Sequence, residues 1–267
     1  MNAQKKTMPE IKAIFFDIDG TLIRFNTHDM PASTHDALER LRQKGVKLFL
    51  ATGRAPKSVA FMRNYFDFDG VVSFNGQYCF DQTGVLFEQP IPFQSVLSVL
   101  PYLTENQIAS SFETAEANYF NMVNERVYEL IRLVGVNEPD PQTIDVKTLK
   151  QDVYQMTVYV NAQEEEALMQ HLPDCKALRW YPTFVNIIGK DSGKPVGISK
   201  VCEKYGFGRD EIMAFGDGGN DIDMLKSVGT GIAMGNAAQA VKQAADYVTD
   251  SVDEDGVFKA LKHFEVI

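Results

Sequence analysis

The sequence predicts an α/β fold: a doubly wound, Rossmann-like core around a parallel sheet, with a second α/β domain inserted into it. Three observations carry this expectation. Four short apolar runs each end abruptly in small or polar residues, helical patterns separate several of them, and the middle of the chain follows another pattern.

Residues 11–16 lead into Asp17-Ile18-Asp19-Gly20-Thr21, and residues 46–51 into Thr52-Gly53-Arg54. Residues 71–74 lead into Asn75-Gly76, and residues 212–215 into Gly216-Asp217-Gly218-Gly219-Asn220-Asp221. Near-continuous apolar runs suit strands buried on both faces, as in a parallel sheet. Ser33 with Asp36 predicts an acidic capping box that opens a helix carrying Ala37, Leu38 and Leu41, closed by Gly45. After Pro56, residues Val59, Met62 and Phe66 keep helical spacing, as do Ile198, Val201, Cys202 and Tyr205 before Gly206. In such a fold ligands bind beyond the carboxyl ends of the strands. All four polar clusters fall at that edge, which locates the candidate site.

The expected division is a core of residues 1–84 and 189–267 around an inserted domain of residues 85–188. The insertion has a helix pattern in Val127, Leu130, Ile131 and Val134. Tyr154, Met156, Val158 and Val160 alternate with Gln155, Thr157 and Tyr159, as in a half-buried strand. Arg179-Trp180-Tyr181, which holds the single tryptophan, suits either stacking on a sugar ring or packing inside this domain.

Twenty-six basic against 36 acidic residues give a net charge of −10, a surface that repels nucleic acid and anionic membranes. No apolar run approaches the length of a membrane span. The amino terminus has lysines without an apolar stretch behind them, a short lead-in and not a secretory signal. Cys79, Cys175 and Cys202 are scattered and odd in number, which argues against a disulfide framework or zinc site and favours a reducing cytoplasm. A cytoplasmic monomer or small homo-oligomer is expected. His28, His35, His171 and His263 lie outside the clusters, which removes a histidine-phosphate mechanism and a His-rich metal site.

Asp17 and Asp19, two apart on an extended segment, point the same way. Such a pair can bind Mg²⁺, act as nucleophile or act as acid and base, though a solvated turn can carry it too. The acidic cluster at 217–221 narrows the choice, because two such clusters on separate strands repel without a cation between them. Asp17 and Asp217, joined by one carbonyl and waters, would suit Mg²⁺. Thr52 offers a hydroxyl, Gly53 an N–H, and Arg54 and Lys194 positive charge, the donors a phosphate needs. GKDSGKP falls one residue short of a P-loop, residues 229–235 miss dinucleotide spacing, and no GxSxG occurs.

FFDIDGTLI, LFLATGR and AFGDGGNDIDML resemble the first, second and fourth motifs of the haloacid dehalogenase (HAD) superfamily. The inserted middle and Asn75-Gly76 resemble its Cof-type sugar-phosphatase branch, whose insertion is a cap. The resemblance implies Asp17 as nucleophile and Asp19 as general acid and base. It implies Mg²⁺ among Asp17, Asp19, Asp217 and Asp221, with Thr52, Gly53, Arg54, Lys194 and Asn220 around the phosphate. That branch usually has its third-motif lysine directly before a glycine that opens a helix; here 190–197 reads KDSGKPVG, with valine at that place. Lys194, just before Pro195, is the candidate and Lys190 the reserve. The implied activity is Mg²⁺-dependent hydrolysis of a small ester, a hexose or pentose phosphate, through an aspartyl phosphate. A phosphomutase shares the nucleophile. A non-catalytic sensor would be expected to have lost a carboxylate, yet all four are present.

Overall fold

The computed structural model describes residues 10–134 and 141–267; the lead-in at 1–9 and the side chain of Val134 lie outside what is described. Five strands come first: β1 (Ala13–Phe16), β2 (Lys47–Ala51), β3 (Gly70–Ser73), β4 (Tyr78–Asp81) and β5 (Gly84–Glu88). Six follow: β6 (Ser110–Glu113), β7 (Asn118–Phe120), β8 (Gln142–Thr143), β9 (Gln155–Val158), β10 (Cys175–Tyr181) and β11 (Phe184–Gly189). Three more complete the set: β12 (Ile212–Gly216), β13 (Thr230–Ala233) and β14 (Tyr247–Val248). The first and last groups form one sheet, in the order β14-β13-β12-β1-β2-β3-β4-β5, and the middle six form another, β10-β11-β9-β6-β7-β8.

The first sheet is parallel from β14 to β3. Strands β1, β3 and β12 are buried along their whole length. Helices α1 (Ala32–Gln43) and, at the far end of the chain, the helix at Gly256–His263 cover one side with Leu38, Leu41, Val257 and Leu261. The helices at Lys194–Tyr205 and Ile222–Ser227 cover the other with Ile198, Val201, Met224 and Leu225. The fold is therefore doubly wound. Strand β1 lies between β2 and β12, where the chain's winding reverses, so the crevice past its carboxyl end is the favoured ligand site.

Four local expectations need correction. Strand β5 extends the first sheet as an antiparallel hairpin with β4, so the change of sheet follows Glu88 instead of falling at 85. At the other end β11 stays in the second sheet through Gly189. The Ser33–Asp36 capping box does not form: α1 starts at Ala32 behind Pro31, which leaves Ser33 already inside the first turn. Its hydroxyl donates to Asp255 instead, and Asp36 pairs with Arg40. Past Pro56 the chain winds as a 3₁₀ helix (Lys57–Asn64) rather than an α-helix, still burying Val59 and Met62.

The fourth concerns β9. Its apolar side chains pack, with Phe112 and Val185, against the helix at Phe93–Glu105. Its polar face, expected in water, is buried as well: Gln155 and Thr157 are each only 2 % exposed. The second sheet turns that face toward the first sheet, and a cavity of about 440 Å³ lies between them.

Candidate active site

Asp17 continues the ladder past β1, its amide donating to the Phe215 carbonyl at 2.9 Å. Thr52 and Asp217 follow β2 and β12 directly, so three adjacent strands deliver their next residues to one place. Gly20 turns the chain away at φ +83°, and a side chain there would strike Asp217 and Phe25. No other residue type fits that turn without displacing the acidic cluster.

Lys194 opens the helix at Lys194–Tyr205, with Pro195 in its first turn. Its ammonium is 2.7 Å from Asp17 Oδ1 and 2.5 Å from Asp221 Oδ1, and the residue is 1 % exposed. Lys190 is exposed. Geometry thus brings Lys194 to the cluster and leaves the reserve candidate outside. Asp221 also accepts the amides of Asp217 and Gly218, at 3.0 and 2.9 Å, and so fixes the loop that carries Asp217. Asp217 accepts from Thr21 Oγ1 at 3.2 Å and Asn236 Nδ2 at 3.1 Å.

Oxygens of Asp17, Asp217 and Asp221 lie within 4.8 Å of one another. The carboxylate of Asp19 is not in that group. Arg54 holds it in a fork, with Nε and Nη2 each at 2.7 Å, so any share Asp19 has in an ion site falls to its backbone carbonyl. Three clustered carboxylates face one ammonium, an imbalance of two charges in a buried place. Burial pushes the Asp17 carboxyl up to about 8; Lys194 opposes this, and Asp221 and Asp19 add to it. Burial, then Asp17 and Asp221, hold Asp217 well above the usual range. Burial works against the Lys194 ammonium, but Asp17 and Asp221 outweigh it and raise its pKa. A divalent cation among these oxygens would balance the charge, so the donor set fits the ion that the sequence implies.

The remaining predicted donors surround the same crevice. Thr52 is buried, and its hydroxyl accepts from the Arg54 amide at 3.1 Å. Asn220 Nδ2 donates to Asn75 Oδ1 at 2.9 Å, and Asn75 Nδ2 to Gln155 Oε1 at 2.7 Å. Gln155 Nε2 donates in turn to the Gly53 carbonyl at 3.0 Å, joining the two sheets across the crevice. Phe74, Asn75 and Gly76 all have positive φ, at 49°, 53° and 99°. This strained turn is held by amides of Phe74 and Asn75 donating to Arg54 and Thr52 carbonyls.

Asn75, Thr21 and Asn236 were not among the predicted site residues. Neither were Glu113, Gln155, Thr157 and Asn186, which line the cavity from the inserted domain. Trp180 and Tyr181 line it too. Arg179 does not: its guanidinium pairs with Glu165 and donates to the carbonyls of Val160, Asn161 and Phe184, among others. Its own carbonyl presses on Gly219, where a side chain would obstruct it. That glycine makes room for the inserted domain.

A family model for haloacid dehalogenase-like hydrolases matches residues 14–261. YkrA of Bacillus subtilis (strain 168) is 31% identical over 96% of this chain and 98% of its own length. The HAD subclass IIB sugar phosphatase BT4131 superposes with a TM-score of 0.90 and 38% identity, over 96% of this chain and all (100%) of the other. The HAD-superfamily phosphatase BT1666 from Bacteroides thetaiotaomicron gives 0.89 and 35%, over 100% and 99%. With a crevice of this chemistry beyond β1, the chain belongs to the haloacid dehalogenase-like hydrolases and is a phosphoric monoester hydrolase.

Proposed function

We propose that the protein is a Mg²⁺-dependent phosphatase that hydrolyses a hexose or pentose phosphate through an aspartyl phosphate on Asp17. The observation that carries this is Asp17 itself: a buried carboxylate past the central strand, one oxygen held by Lys194, opening on the cavity between the two sheets. The sugar class rests on the likeness to BT4131.

Asp17 and Asp217, with the Asp19 carbonyl, would hold the ion, while Asp221 braces the loop and Lys194. When bound, Mg²⁺ neutralises phosphoryl oxygens and the facing carboxylates. The chain supplies the rest. A carboxylate oxygen of Asp17 attacks phosphorus, and the ester P–O bond breaks as the leaving oxygen takes a proton from Asp19. Water then attacks the aspartyl phosphate, giving its proton to Asp19, and the bond to Asp17 breaks. Lys194, Thr52 and the Gly53 amide offer positive charge and donors to the phosphoryl oxygens. Asp19 is bound by Arg54 here, so it must part from the guanidinium to move a proton; an incoming phosphate competes for Arg54 and releases it. Asn75 and Asn220 keep the crevice walls in register through Gln155.

The test is acid quenching of the enzyme with ³²P-labelled hexose phosphate. Label should remain on the wild-type protein and be absent from Asp17→Asn. Equal labelling of both would remove Asp17 as nucleophile.

A further inference from the structure

The chain leaves the first sheet after β5 and returns to it after β11, and both crossings are bonded to one residue, Gln77. Gln77 stands just before β4 and is fully buried. Its main-chain carbonyl accepts the amide of Gln89, the residue after β5, at 2.8 Å. Its side-chain Oε1 accepts the amide of Gly189, the last residue of β11, at 3.0 Å. Ser192 Oγ lies 2.8 Å from that Oε1 and 2.6 Å from the Gly189 carbonyl, so its one proton is shared between the two.

The segment held in this way ends on Lys194, which opens its helix and reaches Asp17 and Asp221. The turn before Gln77 is the floor beneath that helix. A side chain at Gly76 would strike the Gly193 carbonyl and the Lys194 amide, and one at Gly197 would strike Val72, Cys79 and the Cα of Gly76. Backbone thus meets backbone where the helix begins, a close contact with little direction of its own. Hydrogen bonds have direction, and those of Gln77 supply it.

Packing alone does not account for an amide at this position. The Gly189 amide needs an oxygen facing it, which turns Nε2 of Gln77 the other way. That nitrogen is buried and has no hydrogen-bond partner among the described residues. An unmet buried donor costs about 1–3 kcal/mol. An apolar side chain of the same length would avoid that cost, but it would strip Gly189 and Ser192 of their acceptor. The oxygen is what the position keeps.

Resting on the reading of Lys194 as a donor to the phosphoryl group, we infer that Gln77 is a positioning residue for the reaction. It fixes residues 189–193 and, through them, the place of the Lys194 ammonium against Asp17. Gln77 does not line the cavity, so it acts through the lysine and not on the substrate. A shift of about 1 Å in such a donor can cost up to 10²-fold in rate.

The test is a double-mutant cycle on kcat/KM for 4-nitrophenyl phosphate, each rate expressed per folded molecule from parallel thermal melts. Gln77→Met keeps the length of the side chain and removes Oε1. It should lower kcat/KM by about tenfold in the otherwise wild-type protein. In a Lys194→Ala background it should change the rate by less than about twofold, because the group it misplaces is gone. Ser192→Ala removes one donor and leaves Gln77 in place. It should repeat the pattern on a smaller scale, about threefold in the wild type and no change beside Lys194→Ala, and it decides the matter should Gln77→Met not fold. A residue that only supports the fold would lower the melting temperature and act equally in both backgrounds. Equal losses in the two backgrounds, or no loss in the wild type, overturn the inference. Lys194→Ala at the wild-type rate would be a different failure: it overturns the donor reading of Lys194, and the inference with it.

Discussion

The two walls of the cavity handle polar groups in opposite ways. On the strand-end wall carboxyl groups meet cationic side chains: Lys194 bridges Asp17 and Asp221, and Arg54 forks Asp19. On the facing wall the Glu113 carboxylate accepts hydrogen bonds from Ser111, Gln155 and Thr157 on its own and neighbouring strands. The first arrangement concentrates charge where a phosphoryl group would gain it. The second spreads hydrogen bonds over side chains that can be exchanged singly without disturbing the backbone. Chemistry fixed on one wall and recognition adjustable on the other is what this difference teaches.

The largest effects should come from breaking the charged wall. Asp17→Asn should lose about 10⁴-fold or more of activity on every ester, since no other carboxylate stands in line. Lys194→Ala should lose about 10²-fold or more, as removal of a charged donor to the transition state does, while Lys190→Ala stays near wild type. Steady-state rates of the three proteins decide it; Lys190→Ala falling below Lys194→Ala would reverse the assignment that the geometry supports.

That wall was largely legible in the sequence, and the other was not. Asp17 and Thr52 stand one position past an apolar run and Asp217 two, and strands in one parallel sheet must bring such positions together. Asn75 was quoted within its motif, yet nothing in the sequence said its side chain would bridge Asn220 and Gln155. Gln155 and Thr157 looked like a solvent face because alternation reports which side is polar, not whether water or another sheet covers it. The place of the Asp19 carboxylate was hidden for a related reason. Alternation gave its direction toward the crevice but could not reveal that Arg54 would capture it there.

Asp19→Asn separates proton transfer from attack. A sugar alkoxide needs a proton to leave, so hydrolysis of a hexose phosphate should fall by roughly 10²–10⁴-fold. Nitrophenolate leaves without one, so the mutant should release about one equivalent in a burst and then stall, for want of a base to activate water. Stopped-flow absorbance reads this directly. Steady turnover of both esters would remove Asp19 from proton transfer.

Ion binding should show how the uncompensated charge behaves. With the Asp17 carboxyl pushed up to about 8 and Asp217 raised with it, protons compete for the ion site through neutral pH. The sign follows: folded-state pKa values above the unfolded ones mean the metal-free protein loses stability as pH rises from about 4 toward 8. Mg²⁺ affinity rises over the same range, by about tenfold per pH unit for each proton displaced. Isothermal titration at pH 6 and 7 measures the affinity, and melting with and without Mg²⁺ the stability. An affinity that does not change with pH would mean that the carboxylates are already ionised without metal.

The smallest effect on activity, and the sharpest division within the second wall, should come from adjacent residues of β10. Trp180 borders the cavity and donates through Nε1 to Asn186 Oδ1 at 2.9 Å. Trp180→Ala should therefore change the order in which sugar phosphates are hydrolysed. Arg179 points the other way, into its own domain, pairing with Glu165 and donating to carbonyls around the turn that joins β10 to β11. Arg179→Met strips those carbonyls of a donor while keeping much of the aliphatic stem, so the cost is unmet hydrogen bonds rather than lost packing. One to three kcal/mol, roughly, is expected for such a loss. That lowers the melting temperature by several degrees in a domain of this size, at about 2–4 °C per kcal/mol. The ranking of substrates should not move, because no atom of the guanidinium meets the leaving group. A changed ranking with an unchanged melting point would place Arg179 at the cavity after all, and the second wall would then carry a cation.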